Sequence, residues 1–354
     1  MKKTVSFSKN SVNVFFHILT KCNLKCRHCY INPEQHGKNI LPIATIEAWM
    51  DVFVRKSNKA NIIFLGGEPT LHKDLWLAIK KAKGLGYNSI TVDTNGYLFN
   101  SILSKINPDE VDYFSFSLDG ATRQTNDMLR GKGSYNQCIA GIREAVSRGF
   151  AASLIYTVSR ANIHELNMMA PLLKDLGIDR FFIQVLGIRG KPAKSRDTKS
   201  RDKGLRVSIS DWLSVIPDSA EKIAGLGITV TYPKVFLRPE EPFECAGLVA
   251  ENYFIFPNGR VYMCPLCEDY PLHSMIFKDN KLVKTGKINE SDFFGLKIPE
   301  GCVMNKVIQP DNLKYTMDGA PEYKIACCLL KEEISRASAG PASGKAFSPH
   351  RKGI

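Results

Sequence analysis

The residues best suited to chemistry are three cysteines near the start of the chain. Cys22, Cys26 and Cys29 are separated by three and then two residues. Three thiolates on one short loop can hold three corners of an iron–sulfur cube and leave one iron open to an outside ligand. The alternative is zinc, whose structural sites usually take four protein ligands, and His28 could be the fourth. The spacing predicts a metal site and favours iron–sulfur.

A second group of cysteines lies in the last third of the chain: Cys245, Cys264, Cys267, Cys302, Cys327 and Cys328. The strand-like stretches 253–256 and 260–263 flank Asn258-Gly259, so they predict a β-hairpin that would bring the first two of these cysteines together. Cys138 stands alone in a helix-like stretch and is expected to be a core thiol. We expect no secretory leader, and clustered thiols then favour metal binding over disulfides.

Polar and glycine-rich segments follow the first four predicted strands. The cysteine loop follows the first strand, Gly66-Gly67-Glu68-Pro69 the second, Thr94-Asn95-Gly96 the third, and Ser117 to Gly120 ends the fourth. In a β/α barrel the carboxyl ends of all strands open on one face, which holds the active site. The sequence therefore predicts that these four segments converge on one site.

The elements that would position this site alternate between strands and helices. The predicted strands are 13–19, 61–65, 89–93, 113–118, 153–158 and 181–186, and the predicted helices are 45–57, 74–85, 98–106, 134–147 and 164–176. Such alternation predicts an α/β fold with parallel strands, a partial (β/α)6 TIM-like barrel. The strands are expected to be apolar on both faces. A helix at 209–225 and a strand at 228–232 should follow.

Composition is that of an ordinary folded protein and excludes wholesale disorder, collagen and coiled coil. The 354 residues are 44% hydrophobic and 23% charged, and no apolar run is long enough to span a membrane. The formal net charge is +13, most of it in segments 189–206 and 331–354. These segments are interpreted as solvated, or as attracting an acidic substrate or partner. Nucleic-acid binding is not inferred.

Composition also predicts the domain boundaries. Residues 1–187 would form the barrel, 188–240 a basic linker with a bridging helix and strand, 241–334 a small cysteine-rich α+β domain, and 335–354 a disordered tail.

The cysteine loop and the Gly66 to Pro69 segment together resemble the radical SAM superfamily, whose enzymes bind S-adenosylmethionine (SAM) on a 4Fe-4S cluster. The resemblance covers roughly residues 10–190. It implies that the first three cysteines hold this cluster and that SAM is contacted by Tyr30, Gly66, Gly67, Glu68, Ser117, Arg130 and Leu186. Arg130 would pair with the carboxylate of SAM; the other interpretation is a surface cation at a helix end.

The later cysteines resemble the SPASM/twitch extension of many radical SAM enzymes. By this resemblance Cys245, Cys264, Cys302 and Cys327 would hold an auxiliary 4Fe-4S cluster, with Cys328 or Cys267 as alternates. A structural zinc site is the alternative. Pro265 stands where sulfatase-maturating members carry an aspartate, which argues against that role.

The resemblance implies an oxidoreductase or maturase-type enzyme. Reductive cleavage of SAM would give a 5′-deoxyadenosyl radical, which abstracts hydrogen from a peptide or a small biosynthetic intermediate, including acidic ones. Oxidative tailoring is favoured; epimerisation, rearrangement and methylation remain open. A flavodoxin or ferredoxin would supply electrons in the cytoplasm. The alternative from another class is a non-catalytic, zinc-stapled binding protein. The sequence identifies no catalytic side chain.

Overall fold

The computed structural model describes residues 1–5, 11–57, 59–194 and 205–335. The predicted disordered tail from residue 336 onward and residues 195–204 of the basic segment lie outside the described residues.

Fifteen strands in the described ranges form one large sheet and one small one. They are β1 (Lys2–Val5), β2 (Val12–His17), β3 (Ala60–Leu65), β4 (Ser89–Thr94), β5 (Tyr113–Ser117), β6 (Ala152–Val158), β7 (Arg180–Val185), β8 (Thr229–Pro233), β9 (Phe236–Leu237), β10 (Glu251–Ile255), β11 (Arg260–Tyr262), β12 (Met275–Lys278), β13 (Lys281–Lys284), β14 (Lys324–Ile325) and β15 (Lys331–Ile334). The large sheet has the order β1-β15-β8-β7-β6-β5-β4-β3-β2-β10-β11-β12-β13, and β9 pairs with β14.

Helices connect the strands and are short in the second half of the chain. They are α1 (Pro33–His36), α2 (Ile43–Val54), α3 (Leu75–Gly84), α4 (Ile102–Lys105), α5 (Arg123–Arg130), α6 (Ser134–Ser147), α7 (Met169–Asp175), α8 (Lys191–Lys194), α9 (Ile209–Ala224), α10 (Ala246–Val249), α11 (Ser291–Phe294) and α12 (Val303–Ile308). In the described part of the chain, no helix is long and apolar enough to cross a membrane.

Strands β2 to β8 run parallel and form the predicted partial barrel. The six predicted strands correspond to β2–β7, and the predicted bridging strand is β8, which pairs in parallel with β7 after the crossover helix α9. The α/β barrel prediction is confirmed, with a seventh parallel strand added to the six.

The two faces of the barrel strands differ in polarity, so the expectation of apolar residues on both faces is wrong. Side chains on the outer face are fully buried against the helices: Val14, Phe16, Ile62, Phe64, Val92, Phe114, Phe116, Leu154, Tyr156, Phe181 and Val230. Side chains on the inner face are largely polar and mostly half-buried: Asn13, Asn61, Thr91, Asp93, Ser115, Ser117, Thr157 and Gln184. Helices cover only the outer face, and the inner face lines the barrel interior.

The cysteine-rich region continues the barrel sheet at one edge, and the last strand joins it at the other. Strand β10 pairs in parallel with β2, and β11, β12 and β13 extend the sheet outward. Strand β15 lies antiparallel between β8 and β1. Residues 331–334, which the charge distribution grouped with a solvated tail, are therefore part of the sheet.

Candidate active site

The loop that follows β2 carries Cys22, Cys26 and Cys29, and all three are half-buried and free. The Leu24 amide donates to the Cys22 sulfur at 3.3 Å, and the Cys26 thiol lies 3.8 Å from the Arg130 carbonyl oxygen. Burial raises the pKa of Cys22 to about 12. Three thiols on one loop at the carboxyl edge of a parallel sheet are a donor set that suits a thiolate-bound iron–sulfur cluster.

The His28 side chain contacts Asp119. Its Nε2 lies 3.0 Å from the Asp119 carboxylate. Within the described ranges, no three His, Cys, Asp or Glu side chains are grouped so as to hold a single metal ion.

Gly66 and Gly67 place the segment after β3 directly on the backbone of the cysteine loop. The Gly67 amide donates to the Leu19 carbonyl at 3.0 Å, and the Glu68 amide donates to the Lys21 carbonyl at 3.0 Å. A Cβ atom at Gly67 would lie 2.2 Å from the Lys21 carbonyl oxygen, and one at Gly66 would lie 2.3 Å from that of Leu19. The close approach that requires these glycines is therefore made to the chain itself.

The Glu68 side chain is buried and connects two strand ends. Its Oε1 accepts hydrogen bonds from the Thr70 hydroxyl at 2.6 Å and the Thr94 hydroxyl at 2.8 Å, and its Oε2 accepts from the Asn95 amide at 2.8 Å. Burial raises the pKa of Glu68, and these hydrogen bonds lower it by less. The side chain orders the site, and a ligand contact at this position would be made by the backbone.

Asn95, which follows β4, contacts the cysteine loop. Its Nδ2 donates to Asn23 Oδ1 at 2.8 Å and lies 3.9 Å from the Cys22 sulfur. The segment after the third predicted strand thus meets the first.

Arg130, at the end of α5, is buried. Its side chain is 10% exposed, and its Nε lies 2.5 Å from Oδ2 of Asp119, which has no exposed surface. Burial acts to raise the pKa of Asp119, but the Arg130 guanidinium and the His28 imidazole outweigh it and hold that pKa below its usual range. The interpretation of Arg130 as a surface cation is wrong. The ion pair fixes α5 on the strand ends beside Cys26.

Ser117 and Leu186 lie at the carboxyl ends of strands β5 and β7, on the same edge of the sheet. Ser117 is the last residue of β5, is half-buried, and its carbonyl oxygen accepts from the Cys138 thiol at 3.6 Å. Cys138 is buried, as predicted for a core thiol. Leu186 follows β7 and packs with Leu129, next to Arg130. The Leu129 carbonyl accepts from the Arg27 amide of the cysteine loop at 2.9 Å. Contact of Ser117 and Leu186 with SAM stays a prediction.

Tyr30 belongs to a hydrogen-bonded chain with His17, a residue that the sequence analysis did not select. His17 Nδ1 lies 3.0 Å from the Ile255 carbonyl oxygen, which can only accept, and burial lowers the pKa of His17 well below its usual value. The ring is therefore neutral with its proton on Nδ1, and the Tyr30 hydroxyl donates to Nε2 at 2.7 Å. The sequence feature that could have identified His17 is that a histidine interrupts an otherwise apolar strand.

Residues 189–191, at the start of the basic segment, pack between two parts of the protein and are called the strap here. This corrects the interpretation of 189–206 as a solvated loop. The Arg189 guanidinium lies 4.5 Å from the centre of the Tyr30 ring, donates to the Pro265 carbonyl at 2.7 Å and pairs with Glu268. The Lys191 amide donates to the Cys29 carbonyl at 3.0 Å. Residues 189–191 thus contact both the cysteine loop and the second cysteine region.

Five of the six later cysteines line one pocket of about 490 Å³, which includes its opening to solvent: Cys245, Cys264, Cys302, Cys327 and Cys328. The other walls are mostly apolar, with Phe243, Phe293, Phe294 and Met304. Burial raises the pKa of Cys302 to about 12. Cys267 lies outside this lining and its amide donates to the Cys264 carbonyl. Four or more thiols in an apolar pocket fit a thiolate-bound cluster.

Comparisons with known proteins identify a family match and a shared fold. Residues 17–173 match the family described as the radical SAM superfamily. The pre-heme d1 synthase of Dinoroseobacter shibae is 32% identical over 211 residues, which cover 59% of this chain. The matched region spans only about half of that relative, 52% of its length.

Two solved structures share the fold. The structure of anSMEcpe with bound AdoMet has a TM-score of 0.61 at 14% identity and covers 89% of this chain and 93% of its own. Streptococcus suis SuiB bound to precursor peptide SuiA has a TM-score of 0.59 at 13% identity, covering 86% and 66%. At this identity the likeness concerns the fold alone.

Proposed function

The chain is an enzyme of the radical SAM superfamily through its domain of residues 17–173, and on this premise we propose that it cleaves SAM reductively to start radical chemistry on a substrate in the barrel. When bound, the cluster and SAM would supply one electron and a 5′-deoxyadenosyl radical that abstracts hydrogen from the substrate. The family is one of enzymes, so the non-catalytic zinc-stapled alternative is not supported.

One observation carries the proposal: four segments distant in sequence meet at the carboxyl edge of the sheet around the three cysteines. Cys22 contacts Asn95, Cys26 contacts the end of α5, and Gly67 lies on the backbone that leads into the loop. These residues would hold the cluster and keep SAM against it. The buried Asp119–Arg130 pair would keep the edge rigid.

The pocket lined by the later cysteines supports an auxiliary 4Fe-4S cluster in a SPASM/twitch-type region. Cys245, Cys264, Cys302 and Cys327 would be its ligands, and the Cys328 thiol lines the same pocket. Arg189 contacts residues next to Cys29 and Cys264, so it would keep the two metal sites in a fixed arrangement. The auxiliary cluster would accept the substrate electron or anchor the substrate.

The reaction favoured is oxidative tailoring of a small biosynthetic intermediate or a peptide. The relative from Dinoroseobacter shibae is named for a pre-heme, and SuiB is described with a bound precursor peptide. A flavodoxin or ferredoxin would deliver electrons. Ten free cysteines suit a reducing compartment, so the proposed location is the cytoplasm.

The test is production of 5′-deoxyadenosine from SAM and dithionite by anaerobically reconstituted protein. The wild-type protein should absorb broadly near about 400 nm, bind about eight irons per chain, and form 5′-deoxyadenosine. Cys26→Ala should abolish the product, and Cys138→Ala, which removes a buried thiol outside both sites, should retain it. Product formation by Cys26→Ala at the wild-type rate would refute the proposal.

A further inference from the structure

The barrel interior contains a cation that none of the functions above uses. Lys331 begins β15 and pairs in register with Pro233 of β8. Two residues earlier on β8, and so on the same face of that strand, Thr231 is paired with Phe182 of β7. Phe182 is paired in turn with Ile155 of β6, which lies two residues before the inner-face residue Thr157. Residues directly opposite in register share a face. Lys331 therefore lies on the inner face of the barrel.

The Lys331 side chain extends along this inner face toward β7. Its Nζ lies 5.8 Å from the centre of the Phe182 ring, and the residue is half-buried. Among the described residues, no carboxylate oxygen lies within salt-bridge distance of this ammonium. Taking an ammonium partly out of water without a close counter-ion is costly, and an anionic ligand would offset that cost.

Asp93 on the inner face of β4 lies within electrostatic reach of Lys331. It pairs in register with Ser115 of β5. Burial raises the pKa of Asp93 to about 7, and the Lys331 ammonium opposes part of that rise. Asp93 interacts with the ammonium electrostatically but forms no salt bridge with it, so the hydrogens of the ammonium stay available to a ligand.

The described cations of the basic segment already have partners within the protein, so they are less suited to binding an anion. Arg189 is paired with Glu268, Lys191 donates to the Cys26 carbonyl at 2.8 Å, and Arg206 lies 3.1 Å from Asp311. An anion binding to any of these would have to displace a contact within the protein. Lys331 requires no such displacement.

We infer that Lys331 binds a carboxylate of the substrate inside the barrel. The ligand class is a small organic acid. This rests on the proposed function and deepens it, because it assigns the anionic part of the substrate to one named side chain.

The experiment is isothermal titration of glutarate into the SAM-loaded holoenzyme. Wild-type protein should bind glutarate and should not bind glutaramide, its uncharged analogue. Lys331→Met should weaken glutarate binding at least about tenfold, and Lys331→Arg should retain it. The control is Lys222→Met on α9, which removes a lysine that is 61% exposed and paired with Asp218; it should bind like wild type.

A second variant keeps the inference testable if Lys331→Met does not fold. Asp93→Asn removes the carboxylate that competes with the ligand, so glutarate should bind about threefold tighter or more. Unchanged binding in Lys331→Met, weaker binding in Asp93→Asn, equal binding of glutaramide, or no binding to wild type would each overturn the inference.

N-acetylglutamate amide, which mimics a glutamate within a peptide, tests the other source of a carboxylate. Binding tighter than that of glutarate would overturn the assignment to a small molecule. Iron content and 5′-deoxyadenosine formation are measured on the same wild-type sample. If the protein binds glutarate but holds no iron, the proposed function alone is refuted. If the protein holds iron but does not bind glutarate, the anion site alone is refuted.

Discussion

Asp119 connects three parts of the candidate site from a fully buried position. Its Oδ2 lies 2.5 Å from Arg130 Nε and 3.0 Å from His28 Nε2, and its Oδ1 accepts from the Thr157 amide at 2.7 Å. Removing one partner of a buried ion pair leaves the other charge without compensation.

Asp119→Asn should lower the free energy of unfolding by about 3–5 kcal/mol, because the Arg130 guanidinium loses its counter-charge in a dry environment. Urea unfolding measures this change. Asp218→Asn removes an aspartate that is 55% exposed and paired with Lys222, and it should cost about 1 kcal/mol or less. A loss below about 1 kcal/mol in Asp119→Asn would show that the pair is not the stabilising contact described.

His36 should make stability depend on pH. Burial lowers its pKa from 6.5 to about 3; Nε2 donates to the Glu268 carbonyl and Nδ1 accepts from the Asn32 amide. Between these values the unfolded chain binds a proton that the folded chain does not, so acidification favours unfolding. Through His36 alone, stability should fall by about 2 kcal/mol from pH 7 to pH 5.

The measurement is urea unfolding at several pH values for wild type, His36→Gln and His164→Gln. The His36→Gln variant should show a flatter pH dependence than wild type, and His164→Gln, which replaces an exposed histidine, should not. Equal slopes in wild type and His36→Gln would contradict this assignment.

At the scale of elements, the site is assembled by the segments that follow β2, β3 and β4. Gly67 is a position of close approach between these segments, since a Cβ there would lie 2.2 Å from the Lys21 carbonyl oxygen. Gly67→Ala should displace the cysteine loop and lower iron bound per chain at least about twofold. Gly84→Ala in α3, where a Cβ meets nothing within 4 Å, should bind iron normally and be unchanged or more stable by about 1 kcal/mol. Equal iron content in both variants would contradict the geometry.

The sequence predicts the elements well where the signal is local. The spacing of Cys22, Cys26 and Cys29 and the position of Gly66 and Gly67 after a strand are features of a few residues, so they can be recognised without tertiary information. The alternation of strands and helices likewise predicts the barrel, because each unit is formed by neighbouring residues.

Features that depend on distant pairing were not predicted. Asp93 and Lys331 share the barrel interior although 237 residues separate them, and the sequence placed Lys331 beside a solvated tail. Arg189 was counted as a loop cation because its partner Glu268 lies in another region of the chain. The inner-face polar residues were overlooked because a strand in a partial barrel has one face toward helices and another toward the interior.

At the scale of the whole molecule, the strap at residues 189–191 connects the barrel site with the second cysteine region. Burial already raises the pKa of Glu268 to about 8, so in Arg189→Met the buried carboxyl would take up a proton, and stability should fall by about 1–3 kcal/mol through the lost hydrogen bonds of Arg189. The double variant Arg189→Met/Glu268→Gln should recover more than half of this loss. Urea unfolding is the measurement, and Arg206→Met, whose partner Asp311 is 84% exposed, is the control with a loss of about 1 kcal/mol or less. Additive losses in the double variant would show that the two side chains act independently.

The central claim is that the three-cysteine cluster binds SAM directly, and electron paramagnetic resonance tests it best. The Cys245→Ala/Cys264→Ala variant removes two proposed auxiliary ligands and isolates the signal of the first cluster after reduction with dithionite. We expect a reduced 4Fe-4S signal whose g values shift when SAM is added. A reduced signal that SAM leaves unchanged would contradict it.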